Sequence, residues 1–455
     1  MLDLGRGRAP FVVLMTVSAA LLGFDLGARV LATNDEARFP MMARDILANG
    51  HWLLPEISGV PMLNKPPLHA WLIAVAAWPT GAVSQWTAAV PSLLGALGLI
   101  ALTYWLGDRL FGARAGLAAG MIVATTAGVF AMARSAVPDM TLSCAITAAM
   151  AAFVLAELDG RRTAWLGFYG LAAVALWAKG PAGLLPIAVV LVYEFVTHRW
   201  HGVTRMRVGV GLTILALLVA PWWLLAANAG REQFVRDVLQ NDMAQGYDPL
   251  RAWSWRRVVE PLWAAVTILL PWSLLLPFAV HWAARRWKRE HAAGERLALL
   301  WAITVFVVVA ASYRQRWRYY LPLCVPGALL VAGWARTRRS SRRMAVSFAV
   351  WAVVASVLAV GEAYVTARHN RGTELLAIMQ AVERAPAPVF AVDAPELVLS
   401  FYLERPIRAV LDPAEFRRLD PPVYVLAKKP AGLEPFEAAT DGFVNRQRVV
   451  LLRKR

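Results

Sequence analysis

The feature that most limits this chain is a series of near-uncharged stretches, each about 15–22 residues long, that recur from residue 10 to residue 361. They lie at 10–31, 87–106, 115–132, 140–156, 163–178, 181–197, 208–228, 261–280, 297–312, 321–335 and 344–361. At about 1.5 Å of rise per helical residue, such lengths are comparable to a hydrocarbon core about 30 Å thick. The reading is eleven spans, or thirteen if a stretch such as 163–197 divides differently. The first is expected to stay as a membrane helix rather than be cleaved as a signal peptide. Its apolar run is long, no small-residue cleavage site follows, and Asp25 and Arg29 stand near its far end. Composition agrees: 58% of the 455 residues are hydrophobic and 17% charged, against about 45–50% and about 25% in soluble domains. A soluble fold, a disordered chain and a fibrous repeat are excluded.

The net charge of +17, from 47 Lys and Arg against 30 Asp and Glu, would suggest nucleic acid as a partner in a soluble protein. Here the basic residues gather in short runs between apolar stretches, at Arg285–Glu290 and Arg336–Arg343 for example. That pattern marks cytoplasmic loops, and nucleic acid is not an expected partner. With the N-terminus inside, the connections 107–114, 157–162, 198–207, 281–296 and 336–343 also fall inside, and together with the N-terminus they hold 19 Lys and Arg. The connections 32–66, 133–139, 179–180, 229–260 and 313–320 then fall outside. The apolar segment Pro67–Pro79 is read as half-inserted, re-entrant or interfacial, because a full span there would turn Asp108–Arg114 outward. Cys144 and Cys324 sit in apolar segments and form neither a disulfide framework nor a thiolate metal site.

Beyond about residue 365 the apolar stretches cease. Thr373–Arg384 has helical periodicity, and Val389–Val392, Ile407–Leu411, Val423–Ala427 and Val449–Leu452 read as strands between turn-forming residues. The expected organisation is a membrane domain over 1–365 and a small α/β domain over 366–455 on the outer face.

The outer connections carry the chemically informative residues. In the first, Asp35 and Glu36 open a segment, Glu36–Ala48, whose Phe39, Met42, Ala43, Ile46 and Leu47 recur at helical spacing. This predicts an amphipathic helix lying on the bilayer surface. Carboxylates suit its first turn, where they face the positive end of the helix dipole, so an ordinary capping role competes with a functional one. Asp139, after Pro138, is equally suited to cap the following helix. Lys179 stands alone between two apolar runs, either as a functional cation at membrane depth or as a side chain reaching for the headgroups. The segment from Ser312 to Pro322 places Arg314, Arg316 and Arg318 on a face where positive charge is disfavoured. Orientation from loop charge alone thus gathers Asp35, Glu36, Lys65, Asp139, Lys179 and the Arg314–Tyr320 cluster on one side. Such a set suits a reaction in which cations hold a phosphate-bearing lipid while a carboxylate handles a hydroxyl or a metal.

At these residues the sequence resembles the bacterial GT-C glycosyltransferases related to protein O-mannosyltransferases and to the lipid A 4-amino-4-deoxy-L-arabinose transferase. The likeness runs in order over residues 10–335, through DEARF, ARDILANGHWLLPEISGVPMLNKPPLHAW, RSAVPDM, ALWAKGP, APWW, LPWS and SYRQRWRYYLPL. It implies a GT-C membrane protein that transfers a sugar, with inversion, from a polyprenyl-phosphate donor to a lipid, lipopolysaccharide or other acceptor on the periplasmic side of the bacterial inner membrane. It implies that the outer connection 32–66 is the catalytic loop and, residue by residue, catalytic roles for Asp35 and Asp139 and donor-phosphate contacts for Lys65, Lys179, Arg318 and Tyr320. Glu36, Arg38 and Arg314 are further candidates, and a divalent metal, if one is used, would fall to Asp35 and Asp139. Two positions depart from the arabinose-transferase branch: Asn64 stands where a Glu usually precedes the Lys-Pro-Pro lysine, and the late segment carries arginines in place of lysines. Arginine can grip phosphate through two parallel hydrogen bonds. A transporter or flippase of lipid-linked sugars and an O-antigen ligase-like enzyme are the rival readings. A transporter would place its charges near the bilayer midplane within repeated halves, whereas here they gather at one face and no internal repeat is seen.

Overall fold

The computed structural model describes residues 8–31, 33–199, 204–236, 238, 255–289, 292–312, 316–337, 341–370, 373–384, 389–392, 394, 396–409, 423–428, 436–444 and 447–454. Among them six helical stretches are long and apolar enough to cross a membrane: Ala9–Ala28, Gln85–Phe111, Asp139–Glu157, Ala164–His198, Val208–Ala229 and Ala293–Ala310. A seventh results if Ala113–Ala124 and Ala127–Ala133, bent by 60° at Thr125 and Thr126, are taken together.

The eleven expected stretches are thus helical, but not all are single long rods. Ala164–His198 is two helices joined by a tight turn, while Trp255–Ile268 and Leu276–Arg286 are separated by a short turn at Trp272–Leu274. Cys324–Arg336 is only 13 residues long, and Ser341–Asn370 carries its apolar part at Ala349–Val365. Hydropathy reports which residues avoid water; it does not report where a proline or a turn interrupts the helical hydrogen bonds.

The elements that place the outer residues are α1 (Arg8–Gly23), α2 (Asn34–Asn49), α3 (Leu68–Ala77), α4 (Gln85–Phe111), α5 (Ala113–Ala124), α6 (Ala127–Ala133), α7 (Asp139–Glu157), α8 (Ala164–Lys179) and α9 (Leu185–His198). Further along come α10 (Val208–Ala229), α11 (Trp255–Ile268), α12 (Leu276–Arg286), α13 (Ala293–Ala310), α14 (Cys324–Arg336) and α15 (Ser341–Asn370). Helix α7 is the most enclosed of the span-length helices. Its Met140, Ile146, Ala149, Met150 and Val154 have no exposed surface and pack among α4 and α8 in the main apolar core.

After α15 the chain forms a small α/β unit. It comprises α16 (Thr373–Glu383), β3 (Val389–Val392), α17 (Glu396–Leu403), β4 (Arg408–Ala409), β5 (Val423–Ala427), β6 (Phe436–Val444) and β7 (Gln447–Lys454), β1 and β2 being the two-residue strands Glu56–Ile57 and Val60–Pro61. The sheet order is β4-β3-β5-β7-β6, with β3 parallel to β4 and β5, and β7 antiparallel to β5 and β6. Strand β6, whose sequence mixes Glu, Thr, Asp and Gly with two Phe, lacks the apolar run that revealed β3 and β5.

One expectation needs correction. Helix α2 is amphipathic as expected, but its apolar face does not lie against lipid. Ala37, Phe39, Met42, Ala43 and Ile46 are buried between Ala70, Ile73 and Ala74 of α3 on one side and Val398, Leu399 and Phe401 of α17 on the other. An apolar stripe demands removal from water and is indifferent to whether lipid or protein removes it. Helix α3, ten residues long, rises about 15 Å and does not cross a bilayer alone.

Candidate functional site

Asp35 stands in the first turn of α2, which Thr33 caps by accepting a hydrogen bond from the Glu36 amide at 3.3 Å. Asp139 stands in the first turn of α7, just after Pro138. Both carboxylates thus sit where free backbone N–H groups and the helix dipole favour negative charge. Lys179 closes α8, at the end where the dipole favours a cation. Beyond it Gly180 adopts φ +57° and the chain folds back through the turn Gly180–Leu184. A side chain at Gly183 would put its Cβ 2.2 Å from the Leu176 nitrogen. The Lys-Gly-Pro-Ala-Gly sequence therefore lets the turn press against α8 and hold Lys179 at the bend. Arg318 and Tyr319 come from the 3₁₀ turn Trp317–Leu323 that leads into α14.

These four segments meet. Arg318 donates through Nη2 to Asp35 Oδ2 at 2.7 Å, and its Nε lies 3.8 Å from Asp139 Oδ2. Asp35 also accepts from Arg38 at 2.8 Å and pairs with Arg316. Lys179 donates to Asp139 Oδ1 at 2.5 Å, and its ammonium lies 4.3 Å from the centre of the Tyr319 ring. The Asp139 side chain is 3% exposed, yet among the described residues its Oδ2 finds no hydrogen-bond partner, and neither does Arg318 Nε. A cavity of about 210 Å³ opens beside these groups, with Asp139, Lys179, Arg318 and Tyr319 at its polar end. Leu142, Leu184, Leu185, Val308 and Val309 give it a lipid-like remainder.

A second network holds the two carboxylate-bearing segments together. Arg29 pairs with Glu36 at 2.7 Å and donates to the Arg134 carbonyl at 2.9 Å and to Ser135 Oγ at 3.0 Å. In return Arg134 donates to the carbonyls of Leu22, Phe24 and Asp25. Each segment thus lends an arginine to the other's backbone. Glu36 is a partner of Arg29 within this brace and does not line the cavity.

Of the residues expected from the sequence, Asp35, Arg38, Asp139, Lys179 and Arg318 are brought together. Tyr320 is fully buried against Phe306, 6.0 Å between ring centres, and the neighbouring Tyr319 faces the cavity in its place. In a 3₁₀ turn consecutive side chains point about 120° apart, so a one-residue difference decides which tyrosine reaches the site. Lys65 lies half-buried in the turn before α3 and does not line the cavity. Arg314 lies outside the described residues.

The pair Asp35 and Asp139 does not fit a divalent ion. The first faces three guanidinium groups and the second an ammonium and a guanidinium, which leaves little net negative charge for a metal. The trio among the described residues with metal-ligand proximity, Glu157, Glu194 and His198, lies toward the far end of α7, about 27 Å along the helix from Asp139. There His198 already bridges the two carboxylates, and Arg205 pairs with Glu157.

Sequence reading passed over Tyr319, Arg29 and Arg134. For the arginines a signal was present, since both stand at outward ends of apolar stretches where basic residues are scarce.

A polytopic helical body thus gathers carboxylates and cations at helix ends on one side, under a small α/β unit. Residues 64–225 match the family of dolichyl-phosphate-mannose-protein mannosyltransferases. The undecaprenyl phosphate-alpha-4-amino-4-deoxy-L-arabinose arabinosyl transferase 1 of Sodalis glossinidius is 28% identical over 356 residues, covering 73% of this chain and 62% of that protein. The corresponding transferase of Edwardsiella ictaluri is also 28% identical, over 68% of this chain and 56% of its own length. The chain therefore spans about 60% of the length of these curated relatives. Among solved structures, ArnT from Cupriavidus metallidurans bound to undecaprenyl phosphate superposes with a TM-score of 0.76 at 20% identity, over 97% of both chains. The oligosaccharyltransferase of Archaeoglobus fulgidus superposes with a TM-score of 0.62 at 13% identity, over 93% of this chain and 70% of that one. This multi-pass membrane protein is thus similar in sequence to these transferases and shares the fold of the solved ArnT structure.

Proposed function

We propose that the chain transfers a sugar, with inversion, from a polyprenyl-phosphate donor such as undecaprenyl phosphate to a lipid or lipopolysaccharide acceptor. In this reading the N-terminus is cytoplasmic, and the site and the α/β unit face the periplasm. The observation that carries it is the cavity whose cationic end, Lys179 and Arg318, gives way to apolar walls from α7, α9 and α13. That shape and charge suit a phosphate on an isoprenoid chain. The names of the relatives, which act on or bind undecaprenyl-phosphate species, point the same way.

The acceptor oxygen attacks the anomeric carbon as its bond to the phosphate oxygen breaks. The acceptor proton passes to Asp35, and polyprenyl phosphate leaves with the negative charge. Lys179 and Arg318, once drawn onto the bound phosphate, stabilise that growing charge more in the transition state than in the donor. Tyr319 holds the Lys179 ammonium by its ring face, and Asp139 orients both cations. Before the donor arrives, Arg316, Arg318 and Arg38 neutralise Asp35. A bound phosphate draws Arg318 and Arg316 away and so frees the carboxylate to act as base. If the acceptor oxygen belongs to a phosphate it is already ionised, and Asp35 then positions it.

The placement of the charges in the first turn of α7 and the last turn of α8, at helix ends, favours transfer over transport across the bilayer midplane. The test is transfer from a radiolabelled polyprenyl-phosphate sugar by the purified protein. Wild type should be active, and Asp35→Asn should lose about 10²–10⁴-fold, the usual worth of a general base. Full activity in the variant would rule out the assignment.

A further inference from the structure

We infer that the C-terminal α/β unit is a positioning module for the catalytic loop, acting through Asn34, Glu396 and Tyr402; this rests on the reading of Asp35 as the reacting carboxylate. The residue immediately before Asp35 is held by the C-terminal unit at both ends of its amide. Asn34 Nδ2 donates to Glu396 Oε2 at 2.8 Å, and Asn34 Oδ1 accepts from the Leu397 amide at 3.1 Å. That amide is one of the backbone donors which the start of α17 leaves unsatisfied, so Asn34 caps a helix some 360 residues away in sequence.

Two more contacts lie on either side. Tyr402 Oη accepts from the Leu31 amide at 2.7 Å and gives its own hydrogen to the Gln85 carboxamide oxygen at 2.7 Å, while the Gln85 nitrogen donates to the Gly27 carbonyl at 2.7 Å. Arg44, on α2, donates to the Phe401 carbonyl at 2.6 Å with its guanidinium 4.1 Å above the Phe401 ring. A single eight-residue helix, α17, therefore grips the catalytic loop at 31, 34 and 44, bracketing Asp35.

A cap that merely covered the outer face would need apolar contact with α2, not hydrogen bonds that fix both ends of the Asn34 amide. The role suits the chemistry. Asp35 has to be released by its arginines and still lie within hydrogen-bond reach of the acceptor, and displacement of a reacting group by about 1 Å can cost about 10²-fold in rate. The grip fixes the chain at Leu31 and Asn34 while the Asp35 side chain changes partners.

The experiment uses the full chain in detergent, with Asn34→Ala, Glu396→Ala and the milder Tyr402→Phe. Turnover with a polyprenyl-phosphate sugar and hydrogen exchange of residues 31–37 are read on the same samples. The expected result is a fall of about 10–100-fold in kcat, little change in the KM for donor, and faster exchange at Leu31 and Asp35. Glu396→Gln keeps an acceptor for the Asn34 amide and should restore most of the kcat lost in Glu396→Ala. Exchange unchanged in all three variants, or faster exchange with kcat unchanged, would overturn the inference. So would a loss confined to the donor KM. Absence of transfer by wild type would overturn the proposed reaction instead; the exchange measurement does not depend on that reaction and reports separately whether the grip exists.

Discussion

Asp35→Asn separates the two duties assigned to that carboxylate, since it should abolish transfer and at the same time tighten binding of undecaprenyl phosphate. In the free site Asp35 carries hydrogen bonds from Arg38 at 2.8 Å and Arg318 at 2.7 Å, and an ion pair with Arg316. The donor phosphate has to compete for the last two. The Asp35 side chain is 20% exposed and those of Arg318 and Arg316 are 17% and 52% exposed, so screening by water keeps each pair to about 0.2–1 kcal/mol. Neutralising the carboxylate removes the competition from both pairs and should strengthen phosphate binding by about 0.4–2 kcal/mol, or about 2–30-fold in Kd. The amide keeps the shape of the side chain, so misfolding is not the expected outcome. The assay is equilibrium binding of undecaprenyl phosphate to wild type and variant in the same detergent at low and high salt, with transfer measured in parallel. The gain should shrink at high salt, because it originates in exposed charges. Weaker or unchanged binding in the variant would refute the exchange of counter-ions, even if transfer were lost.

Lys179→Ala removes a charge-assisted contact worth about 1.5–3 kcal/mol, and undecaprenyl phosphate should bind about 10–150-fold more weakly; unchanged binding would remove Lys179 from the donor site. Gly183→Ala places a Cβ 2.2 Å from a backbone nitrogen of α8, and overpacking against an immobile backbone should cost at least about 1–3 kcal/mol. A thermal melt of the purified protein checks this, and an unchanged Tm would mean that the turn is looser than described. Burial pushes the Tyr402 phenol from 10.0 up to about 12. Its folded value lies above the unfolded one, so the stability it lends is complete below pH 10 and is lost as pH rises from 10 toward 12. The protection of the Leu31 amide, measured as exchange relative to the intrinsic base-catalysed rate at each pH, should therefore fall across that window in wild type and be low already at neutral pH in Tyr402→Phe; protection unchanged across the window in wild type would count against the phenol as its partner.

Much of the site was legible from residue type and place. Asp35, Asp139, Lys179 and Arg318 each break a rule of their surroundings, being charges at the edges of apolar segments and, for Arg318, on the side where positive charge is disfavoured. What a linear reading could not supply was pairing. Arg318 touches a carboxylate 283 residues earlier, and no local period connects the two. The choice of Tyr319 over Tyr320 turned on the pitch of a 3₁₀ turn, which no charge or hydropathy pattern marks. The amphipathic stripe of α2 was visible, but its partner was not, because lipid and α17 satisfy the same stripe. The C-terminal unit showed its buried strands β3 and β5 through their apolar runs and hid β6, whose residues alternate too little to give a period-2 signal.

The sequence by itself determined that this chain lives in a membrane, where its helical segments lie, and which few charged residues stand where solvation physics resists them. These are properties of composition along a line, since burial in lipid is decided segment by segment. Only the tertiary structure decided that Asp35 waits among three arginines, that Asp139 and Lys179 share the polar end of a largely apolar cavity, and that α17 grips the residue before Asp35. Such contacts arise between helix ends far apart in sequence. Hydrogen bonds and ion pairs depend on distances of about 3 Å, which are set by the packing of whole helices.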